Sequence, residues 1–490
     1  MHMYFSALLC ELWTTLMFAG SALAVARERR NTLCFAALFG IVGVALCLLM
    51  KDFAIDDSLI SVRYARNLAS GIGYRFNAGD PSTDGVTPLP WAFMLAPLAR
   101  ADALSVLHRA RFLGGVIYVV TLSAVGWQVG KRETLAMKVA AFALAGVSAA
   151  PAAYAMSGME TSVAMGFVTL AVLFRERPLL AATYAGLAVA FRPEAAGFAV
   201  AFSLVLGFEV EKPIVVVRHL GLSLLPLIVT SIVRYSVWGV AIPLAAIAKP
   251  SSPSLGFTYA GAGVLSTGVL VVACAPIALM RAHRKTQALA VGLVAHFMCI
   301  ALAGGDWMPL ARLWVPVLLV VPLLFLEVAL TSAPWSLWFR WTLAMALAIG
   351  FGGRGILLHR VLLPARLSAI AQATSLLRGQ RVAAVDVGWV SAATEGYIFD
   401  MAGVTNPLVA SLPGGHTSKR ISGRMLRDRD ITRVLLWASD KPPSLERWKE
   451  ATFPRHAERR LAYDLESWPA SAWVPIGSRG GYILLSRPAE

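Results

Sequence analysis

The chain has 490 residues, of which 57% are hydrophobic and only 15% are charged, and its mean hydropathy is +0.66. A soluble globular protein does not need that much apolar sequence, so the composition predicts an integral membrane protein. The net charge of +16 comes from small basic clusters between apolar runs, which is typical of membrane proteins under the positive-inside rule. No RNA- or DNA-binding motif accompanies the clusters, which argues against a nucleic-acid partner.

Apolar runs of about 20 residues are long enough to cross a bilayer, and shorter runs suffice inside a bundle. The first run lacks a basic start and contains Glu11, so it is interpreted as a span and not as a cleaved signal peptide. The pattern predicts a polytopic α-helical protein with about 11–12 transmembrane helices. The predicted spans lie near residues 3–26, 32–50, 111–129, 135–155, 161–174, 179–191, 195–208, 216–234, 260–280, 286–303, 313–331 and 335–353.

Basic residues in short loops set the orientation of the predicted spans. The basic loops "RERR", "KRE", "RER", "EVEKP" with "RH", and "RAHRK" follow the first, third, fifth, seventh and ninth spans. We therefore place the odd-numbered connections in the cytoplasm. The even-numbered connections then face the periplasm, and they contain every unusual polar motif of the chain.

The first periplasmic loop, residues 51–110, contains the apolar segment "TPLPWAFMLAPLA" at 87–99. This segment has only about 13 residues, and a span here would reverse the orientation of every later basic loop. We therefore predict that it lies in the membrane interface together with a helix from Ser58 to Ala69.

The composition becomes more polar after the last predicted span. We predict a transmembrane domain at 1–358 and a small periplasmic α/β domain at 359–490. In this domain "LSAIAQATSLLRG" has a helical pattern, whereas "RVAAVDVGWV", "DITRVLLWAS" and "GYILLS" have strand patterns. The five cysteines all lie in apolar runs outside this domain, which excludes a disulfide framework within it.

Two adjacent carboxylates, Asp56 and Asp57, stand one step outside the membrane at the start of "DDSLISVRYARNLA". One aspartate is explained by helix capping, but the second adds repulsion and desolvation cost. A functional role is therefore favoured. A carboxylate here could deprotonate a sugar hydroxyl as general base, or the pair could hold a divalent cation such as Mg²⁺ or Mn²⁺. Arg63 and Tyr64 follow in the same predicted helix and are candidate substrate-binding residues.

Other periplasmic loops combine charged residues with Gly or Pro. "SGMET" carries Glu160, for which a helix N-terminus is an equally good explanation, and "FRPE" carries Arg192 and Glu194. Arginine suits a lipid phosphate because its donors bind two oxygens at once, although a proline turn with a local ion pair is the alternative. Lys249 in "AIPLAAIAKP" could act similarly or be an interfacial lysine.

The loop "GGDWMPLAR" joins Asp306 and Arg312 to Trp307, which alone would be an interfacial anchor. In the C-terminal domain, "LPGGHTSKR" contains His416 and Lys419, for which an exposed loop is the simpler interpretation. No glycine-rich loop of the nucleotide-binding type is present. Because a periplasmic site has no access to nucleotide sugars, an activated sugar would have to arrive on a lipid carrier.

Together these motifs resemble the GT-C class of polyprenyl-phosphate-dependent glycosyltransferases, and more closely the bacterial terminal arabinofuranosyltransferases. The resemblance covers most of residues 52–420. It rests on the following stretches: "DDSLISVRYARNLASGIGYRFNAGD", "DGVTPLPW", "SGMET", "FRPE", "GGDWMPLARLWVP" and "VDVGWVSAATEGYIFDMAGVTNP".

The resemblance implies a helical transmembrane domain beneath a periplasmic cap, with Asp56 and Asp57 matching the acidic motif that supplies the catalytic carboxylate. It also implies that Arg192, Lys249 and Arg312 face the lipid-phosphate donor. An additional span precedes the acidic motif, and "GGHTSK" stands where the family pattern has a tighter Gly-His-acid-Lys run. The acceptor could therefore be another glycan or a protein.

The expected function is transfer of a sugar, D-arabinofuranose by the resemblance, from a polyprenyl phosphate to a periplasmic acceptor at the bacterial inner membrane. A mannosyl or aminoarabinose transferase of the same class is the alternative enzyme. A transporter of lipid-linked sugars is the alternative of another class, but it predicts polar residues at the bilayer midplane and an internal repeat. The sequence shows neither of these features.

Overall fold

A computed structural model describes residues 28–131, 134–147, 149–208, 213–249, 252–265, 269–329, 361–478 and 480–488, and also 338–339, 341–342, 345–346 and 349. The predicted span near 3–26 and most of the one near 335–353 lie outside the described residues. The loops "RERR", "KRE" and "EVEKP" also fall wholly or partly outside them.

Helices make up most of the described chain, and five short strands follow residue 380. The helices are α1 Glu28–Leu49, α2 Asp56–Ala69, α3 Leu89–Leu95, α4 Ala103–Gly130, α5 Leu135–Val147, α6 Ala149–Ala155, α7 Thr161–Leu173, α8 Pro178–Phe191, α9 Ala196–Phe208, α10 Pro213–Trp238, α11 Leu244–Ala248, α12 Pro253–Gly263, α13 Val269–Arg281, α14 Arg284–Leu302, α15 Val315–Leu318, α16 Val321–Ala329, α17 Leu362–Leu377, α18 Val387–Ala393, α19 Pro407–Ala410, α20 Gly423–Arg427 and α21 His456–Asp464. The strands are β1 Val382–Ala384, β2 Ile398–Asp400, β3 Arg433–Ala438, β4 Ala470–Pro475 and β5 Gly481–Ser486.

Four described helices are long and apolar enough to cross a membrane, namely α4, α10, α14 and residues 31–49 of α1. A bent pair, residues 312–318 with α16, would add a fifth span. Helices α7, α8 and α9 are apolar but shorter. The prediction of a helical protein is confirmed, and its apolar helices support membrane association. The number of 11–12 spans stays a prediction.

Several helix bounds differ from the predicted ones. The segment 87–99 forms α3 and a 3-10 turn, and it is too short to count among the long apolar helices. The predicted span 135–155 contains two helices, α5 and α6. The predicted span 260–280 begins too late, inside α12. This helix already starts at Pro253, and proline favours the first turn of a helix.

The described chain divides into two compact units. The membrane unit contains the described residues up to Phe53, those from Arg111 to Val229 and those from 252 to 349. The loop-and-sheet unit contains Ala54–Ala110, the described residues from Thr230 to 249, and those after Val361. The last segment of this unit begins at Val361, near the predicted boundary at 358. The unit also includes two earlier segments that the prediction assigned to the transmembrane domain.

An ion pair joins two basic loops of the membrane unit. Lys285 of "RAHRK" pairs with Glu176 of "RER", and Arg175 of the same loop donates to Glu327 over 2.7 Å. Helix α8 begins just after Glu176, and Lys285 lies in the first turn of α14. The ion pair between these two residues therefore brings the N-terminal ends of the two helices together. The two basic loops therefore lie at one end of this unit, as their shared assignment to odd-numbered connections predicts.

The opposite ends of the same helices carry the polar motifs. His296 of α14 contacts the carbonyl oxygen of Glu194 over 3.2 Å, and Tyr154 donates to the carbonyl oxygen of Pro309 over 2.6 Å. Arg111 donates both to Met156, over 2.7 Å, and to the carbonyl oxygen of Lys51. Four even-numbered connections of the membrane unit thus meet at the end that lies away from the basic loops.

Glycines allow helices of the membrane unit to approach closely. A Cβ atom added at Gly197 of α9 would lie 2.6 Å from the carbonyl oxygen of Ala295 in α14. One added at Gly256 of α12 would lie 1.9 Å from that of Ala301 in the same helix. Small residues at helix contacts are the usual means of association in a bilayer, where the hydrophobic effect does not drive helices together.

The C-terminal part of the loop-and-sheet unit contains a mixed sheet of five strands in the order β2-β1-β3-β5-β4. Strands β2, β1 and β3 are parallel, whereas β5 runs antiparallel to both β3 and β4. Its core includes Phe399, Val434, Leu461 and Ile483, which are all fully buried. The described residues after Val361 therefore contain both helices and a sheet.

The predicted strand "RVAAVDVGWV" is partly wrong, because β1 ends at Ala384 and α18 begins at Val387. Its apolar run was compatible with either structure, since a short buried helix and a buried strand share this pattern. The predicted strands at 430–439 and 481–486 correspond to β3 and β5. Strands β2 and β4 were missed.

Asp400, at the end of β2, fixes the loop that follows. Its carboxylate is fully buried and accepts hydrogen bonds from the backbone N–H groups of Ala402, Gly403 and Thr405 at 2.6–3.1 Å. It also accepts one from the hydroxyl of Thr405 over 2.9 Å. The carboxylate therefore satisfies four donors that would otherwise be buried without partners.

We expect Asp400→Asn to lower the free energy of unfolding by about 2–4 kcal/mol, because the amide N–H₂ would face donors where an oxygen now accepts. Denaturant unfolding in detergent, followed by tryptophan fluorescence, measures this change. Asp428→Asn is the control, since the Asp428 side chain is 60% exposed. Equal unfolding of the two variants would contradict this account of the loop.

Candidate functional site

Asp56 is the first residue of α2, and its carboxylate is buried within the loop-and-sheet unit. It accepts a hydrogen bond from the N–H of Gly388 over 2.9 Å through Oδ2 and one from the N–H of Trp389 over 2.7 Å through Oδ1. The first N–H groups of a helix have no partner within the helix. Asp56 therefore caps α18 across a separation of more than 300 residues.

The residue that would ordinarily cap α18 is Asp386, at its N-cap position, but its side chain makes no cap hydrogen bond. The carboxylate of Asp386 instead accepts two hydrogen bonds from Arg455, at 2.8 and 3.0 Å, and one from the hydroxyl of Tyr482. Two aspartates from distant parts of the chain thus meet at the start of one short helix, each with its own set of donors.

Arg366 of α17 is the cation next to Asp56. Its Nη1 lies 3.6 Å from Asp56 Oδ1, and this nitrogen is buried without a hydrogen bond to the described residues. Burial is the main cause that raises the pKa of Asp56 to about 7, and the charges of Asp386 and Asp57 add to it. The Arg366 guanidinium and the Trp389 N–H act in the opposite direction.

A second buried carboxylate lies behind Asp386. Glu458 of α21 is fully buried, lies 3.5 Å from Arg455 and accepts from the N–H of Trp437. Burial raises the pKa of Glu458 to about 7, although Arg455 opposes the change. Burial also raises the pKa of Asp386, but Arg455, the Tyr482 hydroxyl and Arg366 outweigh it, so that this pKa lies below its usual value.

Asp57 is only half-buried, unlike its neighbour. The two adjacent carboxylates therefore have different surroundings, because Asp56 is enclosed by donors and Asp57 is accessible to solvent. The described residues contain no group of three or more His, Cys, Asp or Glu side chains that could hold a metal ion. Both oxygens of Asp56 already accept N–H groups beside a guanidinium, so the donor set does not fit a divalent cation shared with Asp57.

Arg63 and Tyr64, predicted to bind substrate, brace the loop that follows α2. Arg63 is buried and donates to the carbonyl oxygens of Phe76 and Gly396 at 2.7 and 2.8 Å. Tyr64 is fully buried, shares a hydrogen bond of 2.6 Å with Thr83 and accepts from the N–H of Gly85. Burial lowers the pKa of Arg63 to about 10.

In the membrane unit, Glu160, Arg192 and Glu194 form one ionic group. Arg192 Nη1 donates to Glu160 over 2.8 Å, and its Nε lies 2.7 Å from Glu194. Arg192 is 3% exposed and Glu160 is 1% exposed, so the first pair is shielded from water. The structure brings these three predicted residues together, and it pairs the arginine with carboxylates.

Asp306 and Arg312 also pair with each other in the membrane unit, at 2.6 Å. Between them Leu310 and Ala311 have φ of 57° and 50°, a left-handed conformation that is strained for residues other than glycine. Tyr154 and Tyr259 hold this loop by hydrogen bonds to Pro309 and Leu313. Arg312 also interacts electrostatically with Glu160. The pair of Asp306 and Arg312 therefore belongs to the same ionic group as Glu160, Arg192 and Glu194, which has three carboxylates and two guanidinium groups.

The remaining predicted residues lie in the loop-and-sheet unit. Lys249 follows α11, whose Leu244 and Ala248 pack against Ala410, and it has no ion pair with the described residues. His416 is half-buried in a loop. In that same loop Lys419 is buried and donates to the carbonyl oxygens of Ala410 and Leu412, so it has a structural contact.

Sequence reasoning missed the cations and carboxylates around Asp56. Asp386 lies inside the stretch "VDVGWV", which belongs to the resemblance, but its role as a partner of Arg455 has no local signal. Arg366 stands alone in a helix of ordinary composition. Only the folded arrangement identifies these residues as neighbours of the acidic pair.

No family model matches the chain, and no curated protein sequence matches it.

Gly388→Ala tests how closely α18 and Asp56 pack. The added Cβ would lie 2.0 Å from the carbonyl oxygen and 2.7 Å from Cγ of Asp56, so α18 must move away from the carboxylate. We expect the free energy of unfolding to fall by about 1–3 kcal/mol, measured by denaturant unfolding in detergent. Gly79→Ala is the matched control, since nothing lies within 4 Å of its added Cβ. A Gly388→Ala variant as stable as the control would contradict the contact.

Proposed function

We propose that the protein is a membrane glycosyltransferase that moves a sugar from a polyprenyl phosphate to an acceptor outside the cytoplasm. The observation that carries this proposal is the acidic pair, in which Asp56 is bound by backbone donors and Asp57 remains accessible. The motifs that resemble those of the terminal arabinofuranosyltransferases point to D-arabinofuranose as the sugar. The acceptor is a glycan or a protein of the cell envelope.

Asp57 is the proposed general base. Its carboxylate takes the proton from an acceptor hydroxyl, whose oxygen then forms a bond to the anomeric carbon of the donor sugar. The bond between that carbon and the phosphate oxygen breaks, and the polyprenyl phosphate leaves with the electron pair. Asp56 does not react in this scheme, because both of its oxygens accept hydrogen bonds from α18.

Lys249 is the proposed contact for the donor phosphate. The arginines that the resemblance assigns to this role, Arg192 and Arg312, are already paired with carboxylates. A phosphate would have to compete with those carboxylates for the same donors. Lys249 has no such partner among the described residues, and it follows "AIPLAAIA", an apolar stretch suited to the membrane interface.

The proposed location is the bacterial inner membrane, with the acidic pair facing the periplasm. Two observations support it, namely the apolar helices and the gathering of basic loops at one end of the membrane unit. A periplasmic site also agrees with the lack of a nucleotide-binding loop, because lipid-linked donors are the activated sugars available there.

We expect Asp57→Asn to lower turnover at least about 100-fold, since an amide cannot accept the proton. The assay uses purified protein, a lipid-linked arabinofuranose donor and detection of the transferred sugar by mass, which also distinguishes arabinose from mannose or aminoarabinose. Asp428→Asn is the control. Unchanged turnover in Asp57→Asn would reject the proposed chemistry. Passage of labelled donor across a vesicle membrane without a new glycosidic bond would favour a transporter.

Lys249→Met should raise the KM for the lipid-linked donor about tenfold or more, because it removes a cation from the phosphate, while the KM for the acceptor stays the same. Lys441→Met is the control in the same unit, as Lys441 is exposed. Initial rates at varied donor concentration provide the measurement. Equal donor KM values in the two variants would remove Lys249 from the phosphate site.

A further inference from the structure

Three segments meet at the buried carboxylate of Asp56. Its own helix contributes Asp57, the start of α18 contributes Asp386, and α17 contributes Arg366. Behind Asp386 lie Arg455, Tyr482 and Glu458, which are already bound to each other or to Asp386. Arg366 is thus the cation that faces Asp56 directly, at 3.6 Å.

The geometry of Arg366 differs from that of an ordinary ion pair. Arg455 binds its carboxylate at hydrogen-bond distance through one nitrogen, whereas Arg366 stays 3.6 Å from Asp56, with Nη1 buried and without a hydrogen bond to the described residues. The Asp56 oxygens are already in hydrogen bonds with α18. Arg366 therefore acts on Asp56 through its charge and adds little as a hydrogen-bond donor.

We propose that Arg366 is a positioning residue, which allows Asp56 to remain ionised while it caps α18 and thereby keeps Asp57 in place. The contact between Asp56 and α18 stands on the structure alone. The consequence for catalysis rests on the proposed function, because only there does the position of Asp57 affect turnover.

The pH dependence of the contact follows from linkage. The pKa of Asp56 is about 7 in the closed contact and returns to the ordinary, lower value when α18 moves away. Between these two pKa values the closed state therefore binds more protons than the open state. The stability of the closed state falls as the pH rises through this range, and it stays constant at higher pH. Without Arg366 the pKa of Asp56 in the closed state is higher still, because the opposing guanidinium charge is gone, so the loss of stability continues to higher pH.

Hydrogen–deuterium exchange of the peptide over residues 385–393, corrected for the intrinsic exchange rate, measures opening of the contact in the full chain. We expect Arg366→Gln and the wild type to exchange equally at pH 6. At pH 9, exchange in Arg366→Gln should be about tenfold faster, because one pKa unit corresponds to a factor of ten in the opening equilibrium. Arg424→Gln, in which an 84% exposed arginine is replaced, should match the wild type at both values.

Arg366→Lys distinguishes the effect of the positive charge from that of the guanidinium shape. It also disturbs the buried site less than Arg366→Gln, because it keeps the charge. It should stay within about twofold of the wild type at pH 9, since the positive charge is retained. The proposal is overturned if Arg366→Gln exchanges as the wild type does at pH 9, or if it is faster by the same factor at pH 6 and pH 9. It is also overturned if Arg366→Lys loses protection as fully as Arg366→Gln.

Turnover supplies the catalytic readout. Relative to the wild type, the turnover of Arg366→Gln should fall between pH 6 and pH 9, in parallel with the loss of exchange protection. A constant ratio of turnover would limit Arg366 to a structural role and overturn its effect on Asp57. If the wild type itself transfers no sugar, the proposed function fails, and the exchange experiment still decides the role of Arg366 at Asp56.

Discussion

The loop-and-sheet unit depends on one interaction, the acceptance of two backbone N–H groups of α18 by the carboxylate of Asp56. Helix α18 follows β1 directly, so this contact joins the start of α2 to the carboxyl end of a strand that lies between β2 and β3. A buried carboxylate carries a large desolvation cost, which the two donors and the nearby guanidinium of Arg366 offset in part, since the pKa of Asp56 is still raised. The absence of a side chain at Gly388 is what allows the carboxylate to approach.

This interaction explains why two adjacent aspartates can serve different purposes. A single carboxylate cannot both satisfy two buried N–H groups and take a proton from an exposed substrate, which is the role proposed for Asp57. Asp56 meets the first requirement and is enclosed, whereas Asp57 lies beside it with access to solvent. A residue predicted to bind a ligand is also already paired in the membrane unit. There Arg192 forms ion pairs with both Glu160 and Glu194.

Features that depend on local pattern could be predicted from the sequence. The helix after Asp56 and the strand at 481–486 both follow from hydrophobic period and residue type. The pairing of Asp56 with Gly388 could not be predicted, because the residues are separated by 332 positions and each looks ordinary in its own surroundings. The strand predicted across "DVGWV" failed for a related reason, since an acceptor from outside the segment, the carboxylate of Asp56, stabilises the start of the helix there.

The loop between Asp306 and Arg312 has a consequence of another kind. Holding Leu310 and Ala311 in left-handed backbone conformations costs about 1–2 kcal/mol for each residue, and the hydroxyl groups of Tyr154 and Tyr259 help to hold the loop there. A relaxed arrangement of this loop therefore becomes accessible whenever those tyrosine contacts are lost. The two tyrosine hydroxyls are thus part of what keeps this strained backbone of the membrane unit in its observed conformation.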